Sequence, residues 1–511
     1  AQPVLLVLED LHWGDFGTVR FVDTALRDRR DRPWMVLALA RPEVLEVFPR
    51  LWAERQNVQE IRLQELGRKA GERLVRQVLG DSVGPETLER LVRHAGGNAF
   101  YLEELIRAAA EGKDHALPDT VLAMVETRLA RLSVEARRVL RAASVFGEVC
   151  WEGGVAALLD GAMTAAAVAE WLERLAEQEV LAVRPHSRVP GERELAFRHA
   201  LLREGTYATL TEDDKRLGHR LAGTWLEHHG ESDPMVLAGH FERGGNGERA
   251  AEFYLRAAEQ AHPVLLDREA TLARAALGLA CAPTPPLRIA LLGIRCEAAA
   301  AVLHLIRDVL ADVEEVLRTA PRGTKPWAQA MLAYSETILF AGRTDDLRAL
   351  VTLLRDLDPV PEAVTTTALV LLTTICMLDA FGFVADATAL EERLAFIRSR
   401  AEREPMVQLW WHTAIGMRAG YAHDDPWRGL QDSDAIQAIH AEARSEVMVL
   451  NMQLFRALNL WYLGAFEAAE QLLRSIAAAD EAIGPASSLR RLTLAWLLAD
   501  RGALDPARAV A

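Results

Sequence analysis

Residues 4–15 read VLLVLEDLHWGD, and this stretch decides how the start of the chain folds. Its unbroken Val/Leu run ends in Glu9 and Asp10, as is typical of a strand buried on both faces. An amphipathic stretch of about 14 residues follows, and a second apolar run, WMVLALARPE at 34–43, reaches Arg41. Strand, helix and strand predict a parallel βαβ unit, in which the strand ends share one edge. We therefore expect both acids and the arginine at that edge, unless these are unrelated strand-end charges.

The composition excludes several classes of protein. The chain has 511 residues, 50% of them apolar, and a formal net charge of −15. This suits several folded domains, whereas the acidic balance argues against a general nucleic-acid binder. Its four cysteines lie far apart and without C-x-x-C spacing, so a reducing cytoplasm is predicted rather than a disulfide framework or zinc ribbon. No apolar run reaches the roughly 20 residues of a membrane span.

The pattern along the chain predicts a mainly α fold with four regions. The boundaries fall at 1–66, an α/β part; 67–117, a helical part; 118–215, a winged helix; and 216–511, helical repeats. The winged helix rests on helices followed by two strand-like runs, EVLAVRP and RELAFRH, joined by a turn rich in Pro, Gly and Ser. Winged helices often bind DNA, but the acidic surroundings favour a packing module here.

The repeat prediction depends on glycines that recur between amphipathic stretches. Gly342, Gly382, Gly420, Gly464 and Gly502 follow one another at nearly regular intervals. A glycine just after a helix commonly takes a positive φ, which ends that helix. A period of about 40 residues with helix–turn–helix units is the signature of an α-solenoid.

Several strings in order resemble one family. VLEDLHWGD resembles the Walker B region of STAND-class signal-transduction ATPases, which are AAA-related P-loop proteins with a winged helix and helical repeats. LALARPE resembles the family's sensor strand, and GGNAFYLEELIR its GNPFFLEEL segment. LPDTVLAMVETRLARLSVEARRVLRAASVFG and FRHALLREGTYATL resemble the stretches around the winged helix. The matches run from residue 4 to about 260, and the repeats resemble the family's tetratricopeptide-type tail.

The resemblance implies a site for ATP or ADP with Mg²⁺. Glu9 and Asp10 would hold the metal, and Asp10 would also polarise the attacking water; the metal role could shift between the two. Arg41 would face the terminal phosphate. Ala99 stands where the family has the proline that packs near adenine, which implies a weaker adenine contact. His199 would approach the phosphate from the winged helix, or else be satisfied within that domain.

The four lysines exclude a phosphate-binding loop from this stretch. Such a loop needs G-x-x-x-x-G-K-[ST], so that backbone N–H groups and the lysine reach the phosphates. Lys69, Lys113, Lys215 and Lys325 all stand in other contexts. The expectation is that the loop precedes Ala1 in a longer protein, and that this fragment alone hydrolyses no ATP.

The resemblance implies the regulatory part of a bacterial multidomain signalling protein. The nucleotide state would gate an output, and the repeats would bind a protein or a small-molecule effector, with self-association left open and no membrane or direct nucleic-acid contact. A serine/threonine kinase output is favoured, because the Arg-rich composition and the ASVFG string resemble kinase–ATPase–repeat proteins. A nucleotide cyclase, a LuxR-type transcription regulator, or a repeat scaffold with a degenerate ATPase remain alternatives.

Overall fold

The computed structural model is mainly α-helical, as predicted, and divides into two compact units. The first unit comprises Ala1–Ser232 with Arg243–Gly245, and the second Asp233–Glu242 with Asn246–Ala511. The described residues are 3–9, 11–14, 16–28, 32–40, 42–48, 51–52, 58–80, 83–110, 129–261, 268–300, 303–341, 343–421, 425–443, 446–483 and 488–510.

The first unit begins with two strands and continues as helices around a small sheet. Its strands are β1 (Val4–Leu8), β2 (Trp34–Ala38), β3 (Val149–Trp151), β4 (Leu181–Val183) and β5 (Glu194–Phe197). Its helices are α1 (Phe16–Asp28), α2 (Val44–Val47), α3 (Arg68–Leu79), α4 (Pro85–Ala95), α5 (Ala99–Ala110), α6 (Val134–Phe146), α7 (Glu152–Leu158), α8 (Ala165–Glu177), α9 (Ala200–Ala208) and α10 (Glu212–His228).

The predicted βαβ unit is present. β1 and β2 pair in parallel, in a register that runs from Val4 opposite Trp34 to Leu8 opposite Ala38, and α1 connects them. The expectation that β1 is buried on both faces is wrong for the described residues. Apolar side chains of one face are exposed, in the cross-strand pairs Leu5 with Met35 and Val7 with Leu37. Only the other face meets the small core around Leu11, Val19, Val44 and Phe48.

Residues 129–210 lie in the region for which the sequence predicts a winged helix, and they form helices with a three-stranded sheet; we call them the winged-helix-like module. β4 and β5 are the predicted hairpin, and β3, which the sequence pattern did not indicate, adds the third strand in the order β3–β5–β4. Two of the helices, α6 and α8, begin at hydroxyl caps: Ser133 Oγ accepts from the N–H of Ala136 at 3.1 Å, and Thr164 Oγ1 accepts from that of Ala167 at 3.3 Å. The sheet and helices enclose an apolar core that includes the fully buried Leu195.

The second unit is built from consecutive antiparallel helices. They are α11 (Pro234–Arg243, which ends at the boundary), α12 (Gly247–Ala261), α13 (Arg268–Ala280), α14 (Pro285–Ala299), α15 (Leu303–Asp308), α16 (Leu310–Thr319), α17 (Lys325–Ala341), α18 (Thr344–Leu354), α19 (Val364–Ala380), α20 (Val384–Arg400), α21 (Pro405–Tyr421), α22 (Pro426–Ala443), α23 (Glu446–Tyr462), α24 (Phe466–Ile483), α25 (Ser488–Asp500) and α26 (Leu504–Val510). Neighbouring helices pack as the helical hairpins of a solenoid.

Three of the five repeat glycines lie at the predicted turns. Gly382, Gly464 and Gly502 have φ values of +80°, +77° and +77° just after α19, α23 and α25. A glycine takes this conformation without the penalty that a β-carbon brings. Gly420 differs, because it is the penultimate residue of α21 rather than a turn residue. Gly342 lies outside the described residues.

One helix is apolar enough to resemble a membrane span by length and composition. The segment Pro361–Ala380, which contains α19, has a mean hydropathy of 1.7, and 61% of it is buried. Its Leu371 and Ile375 are fully buried in the core of the second unit. The packing of α19 between neighbouring helices accounts for its apolar composition.

Candidate nucleotide site and winged-helix interface

The carboxyl ends of β1 and β2 continue to hydrogen-bond after the strands themselves end. The N–H of Leu39 donates to the carbonyl of Leu8 at 2.7 Å, and the N–H of Leu11 donates to the carbonyl of Leu39 at 3.0 Å. Glu9 lies between these bonds, and its side chain is exposed. One predicted acid therefore lies at the shared edge of the parallel pair.

Asp10 and Arg41 lie outside the described residues, so their roles stay predictions. Their chain neighbours are described: Glu9 and Leu11 flank Asp10, and Ala40 precedes Arg41 directly after the bonded Leu39. Among the described residues, no three His, Cys, Asp or Glu side chains converge as a metal site. An exposed carboxylate at a strand edge still fits Mg²⁺, which usually takes one or two carboxylates together with water and phosphate oxygens.

The GGNA turn explains where Ala99 lies. Gly96 ends α4 with φ +54°, and Gly97 follows at φ +82°. Gly97 also packs so closely on Glu65 that a β-carbon would lie 2.7 Å from the Cβ of that residue. Asn98 then starts α5, since its Oδ1 accepts from the N–H of Tyr101 at 3.0 Å. Ala99 is consequently exposed in the first turn of α5, and a contact of this residue with adenine stays a prediction.

His199 lies where β5 ends and α9 begins. It is half-buried, has extended backbone angles and makes no side-chain cap to the helix. The residue before it, Arg198, points its guanidinium toward two acids: Nη1 lies 3.2 Å from Glu179 Oε1, and Nη2 lies 3.9 Å from Glu103 Oε1. His199 therefore adjoins a contact between the module and α5.

A charge network joins α5 to the winged-helix-like module. Arg107 on α5 lies 2.7 Å from Glu179 and 3.7 Å from Glu103, and donates to the carbonyl of Gln178 at 3.3 Å. Sequence reasoning missed this network, because Arg107 and Glu179 are 72 residues apart. The backbone of Glu179 has φ +55°, a conformation that few non-glycine residues adopt, and this turn presents the carboxylate to both arginines.

Beyond that network, the TYATL string contributes a buried polar contact. The hydroxyl of Tyr207 lies 2.8 Å from Nε2 of His219, and the Lys215 ammonium lies 5.1 Å from the centre of the tyrosine ring. Burial, and then the positive charge of Arg243, lowers the pKa of His219 to about 4. This histidine is consequently neutral at pH 7 and holds the end of the module to α10.

In the second unit, a buried arginine ties three helices together. Arg418 of α21 is 2% exposed, and its Nε donates to Asp379 Oδ2 of α19 at 2.9 Å. Nη1 contacts Glu391 of α20, and Nη2 donates to Thr388 Oγ1 at 3.1 Å. Sequence reasoning also missed this group, since nothing in the pattern marks a charged residue as buried.

Two further charged groups in the repeats, Glu336 and Arg268, are desolvated by burial. Burial raises the pKa of the Glu336 carboxyl to about 7, against the opposing effect of Arg268. Burial also lowers the pKa of Arg268, whose buried Nε makes no hydrogen bond within the described residues. Glu336 is therefore a carboxyl that titrates near neutral pH inside the repeat region.

Comparison with known proteins finds likenesses to a curated relative and to a solved structure, and no protein-family model matches the chain. The chain is 25% identical over 276 residues to an uncharacterized protein of Rhizobium meliloti (strain 1021), a match that covers 50% of this chain and 26% of the relative. The crystal structure of a STAND protein with a tetratricopeptide repeat sensor from Pyrococcus horikoshii aligns with 99% of this chain and 80% of its own, at 12% identity and a TM-score of 0.44. The matched segment thus spans about a quarter of the relative's length, and neither likeness by itself assigns a family.

Proposed function

We propose that this chain is the nucleotide-responsive regulatory part of a larger signalling protein. The observation that carries the proposal is the parallel register of β1 and β2, which supports a shared edge for Glu9 and for the chain neighbours of Asp10 and Arg41. Ligands of open α/β sheets bind outside the carboxyl ends of the strands. An acid pair and an arginine at one such edge suit a nucleotide phosphate and its metal.

Each residue has a distinct task in this proposal. Glu9 would hold Mg²⁺ through water, Asp10 would share the metal and accept the proton of the attacking water, and Arg41 would contact the terminal phosphate. The bound metal would neutralise charge on the phosphate oxygens. His199 would sense the phosphate from the winged-helix-like module. Ala99 would leave the adenine pocket shallow, so nucleotide affinity would be modest.

The contact between α5 and the module would convert nucleotide state into movement. The four side chains that form it are a quarter to half exposed: Glu103, Arg107, Glu179 and Arg198. Exposed pairs each contribute only about 0.2–1 kcal/mol, so a bound phosphate can compete with them. The interface therefore has the weak, reversible chemistry that a two-state element requires.

The output domain would lie elsewhere in the full-length protein, in the cytoplasm. A serine/threonine kinase is the output we favour, with a cyclase or a transcription regulator as alternatives. A different function, a repeat scaffold with a degenerate ATPase, is favoured by one observation: Ala99 replaces the proline expected beside adenine.

The decisive experiment measures ATP binding and hydrolysis by the full-length protein. Saturable, Mg²⁺-dependent binding is expected, with Asp10→Asn lowering turnover at least 100-fold, because the loss of a general base costs about that factor. Asp160→Asn, at an exposed acid of the module, is the matched control and should keep wild-type turnover. The 511-residue fragment alone should hydrolyse no ATP. If the full-length protein shows no saturable ATP binding, the nucleotide-responsive function is refuted and the scaffold function is favoured.

A further inference from the structure

Exposed apolar side chains recur at one position of four consecutive hairpins. They lie where the first helix of each hairpin ends or the second begins, and they are 36–67% exposed. We call this surface the turn edge; its residues are Phe381 and Val384 (α19–α20), Trp427 (α21–α22), Tyr462 and Phe466 (α23–α24), and Leu504 (α25–α26). The repetition follows the period of the solenoid, as expected of a single continuous surface.

Contacts between hairpins join the helix ends beside the turn edge. Arg418 Nε of α21 donates to Asp379 Oδ2 of α19 at 2.9 Å. Gly429 of α22 packs against α23, so closely that a β-carbon would lie 2.5 Å from Asn459 Oδ1. Trp461 Nε1 of α23 donates to Asp500 Oδ2 of α25 at 3.0 Å. The turn edge is thus a row positioned by two side-chain hydrogen bonds and one close packing contact.

The size of the apolar surface needs an explanation. Six side chains with these exposures present on the order of 500 Å² of apolar surface, which is as large as the biggest patch on a typical monomer. The core of each hairpin does not use them, since it is filled by fully buried residues such as Leu378 and Leu473. A patch of this size in a regular row is characteristic of an interaction site.

Acidic residues accompany the apolar ones at every turn. Asp386, Asp425, Glu467 and Asp505 each lie within two residues of a member of the turn edge. Helix N-termini favour acids in general, but here four of them lie beside one surface; Arg348 lies 3.8 Å from Asp386, and Arg428 lies next to Trp427 in the sequence. With a net charge of −15 on the chain, a second copy would be repelled, whereas a basic partner would be attracted.

The spacing of the row matches a helix. Packed helices lie about 8–10 Å apart, and seven residues of an α-helix rise about 10 Å. We propose that the turn edge docks an amphipathic helix of a partner protein, with apolar residues about every seventh position and Arg or Lys on either side. Four turns would be spanned by a helix of about 20 residues. This deepens the effector-binding role proposed for the repeats by giving the partner's chemistry.

The test uses the 511-residue chain and a labelled synthetic peptide. The peptide is a helix of about 21 residues with Leu on one face at heptad spacing and Lys and Arg flanking it. Fluorescence polarisation should show saturable binding, weakened at least tenfold by Phe466→Ala and by Trp427→Ala. Phe396→Ala is the matched control, because Phe396 is 43% exposed against 36% for Phe466, and lies near the other end of α20. It should change the affinity less than twofold.

Three outcomes would overturn the proposal. Equal effects of Phe466→Ala and Phe396→Ala would show that the turn edge is not the contact. Equal binding of a peptide with the same residues in scrambled order would show that binding depends on net charge and not on an amphipathic helix. If sedimentation shows that the wild-type chain forms dimers and that Phe466→Ala abolishes them, a second copy of the chain occupies the turn edge. ATP binding by the full-length protein with Phe466→Ala should stay unchanged, so failure here and failure of the nucleotide site remain distinguishable.

Discussion

Replacing Arg418 tests whether its buried contacts hold the repeats together. The guanidinium is 2% exposed, and it lies between Asp379, which is 7% exposed, and Glu391. Arg418→Met keeps much of the volume and removes the charge and all its donors. Asp379 then stays buried without the guanidinium that it contacts in the wild type.

The expected loss can be worked out from burial. Breaking a buried ion pair by removing one partner typically costs about 3–5 kcal/mol, since the remaining charge is uncompensated. Exposed i,i+4 pairs on a helix contribute only about 0.3–0.5 kcal/mol. Arg474, which is 53% exposed and lies 2.9 Å from Glu470, provides the matched control, Arg474→Met. The two substitutions are chemically identical, but Arg418 is buried and contacts two other helices, whereas Arg474 is exposed and pairs with Glu470 of its own helix.

Hydrogen exchange followed by mass spectrometry is the suitable assay, because a chain of two units need not unfold in one step. Amides of α19–α21 should lose protection by a factor of about 100 or more in Arg418→Met, while Arg474→Met should leave its own helix nearly unchanged. The double variant Arg418→Met/Asp379→Leu should recover most of the loss. Protection within threefold of wild type in Arg418→Met, or equal effects of the two methionine variants, would refute the reasoning.

Three further predictions concern pH and packing. His219 has a pKa of about 4 in the folded state, so the unfolded chain binds more protons between pH 6.5 and 4; stability should fall by up to about 3 kcal/mol over that window, and His219→Gln should flatten the urea-unfolding profile. Glu336 has the opposite effect, because its pKa is raised to about 7 in the folded state. Its contribution to the free energy of unfolding is fully present below about pH 4.5 and is lost as the pH rises through 7. Glu336→Gln should therefore stabilise the second unit at pH 8. Gly247→Ala should lower the thermal midpoint although alanine favours helices, because its β-carbon would collide with the carbonyl of Cys281, whereas Gly84→Ala, with open space, should not.

Local patterns predicted the elements that depend on local chemistry. The strand–helix–strand order and the parallel pairing follow from hydrophobic runs, and the turns at Gly382, Gly464 and Gly502 follow from the need for positive φ. Gly420 was misplaced because a glycine near a helix end has the same spacing whether it ends the helix or lies in its last turn. The strand β3 was missed because three residues carry too little alternation to recognise.

The candidate site was only partly predictable. The position of Glu9 at the strand edge follows from sheet topology, but no spacing rule links Arg107 to Glu179 or marks Arg418 as buried. Such contacts depend on which helix faces meet, and that is decided by the packing of the whole unit. A local sequence pattern assigns charged residues to the solvent-exposed surface. It therefore does not predict ion pairs between distant parts of the chain.

The two charge networks differ in a way that bears on how the protein could signal. Arg107 and Glu179 are 26% and 51% exposed, so salt screens their interaction and breaking it costs little free energy. Arg418 is nearly inaccessible, so its contacts with Asp379 hold only when the surrounding helices stay packed. A partner helix would therefore bind to turns whose helices are fixed by buried contacts. In contrast, separating α5 from the winged-helix-like module would cost little free energy. In the proposed function, the rigid repeats would bind the partner, and the weak contact beside His199 would respond to the nucleotide.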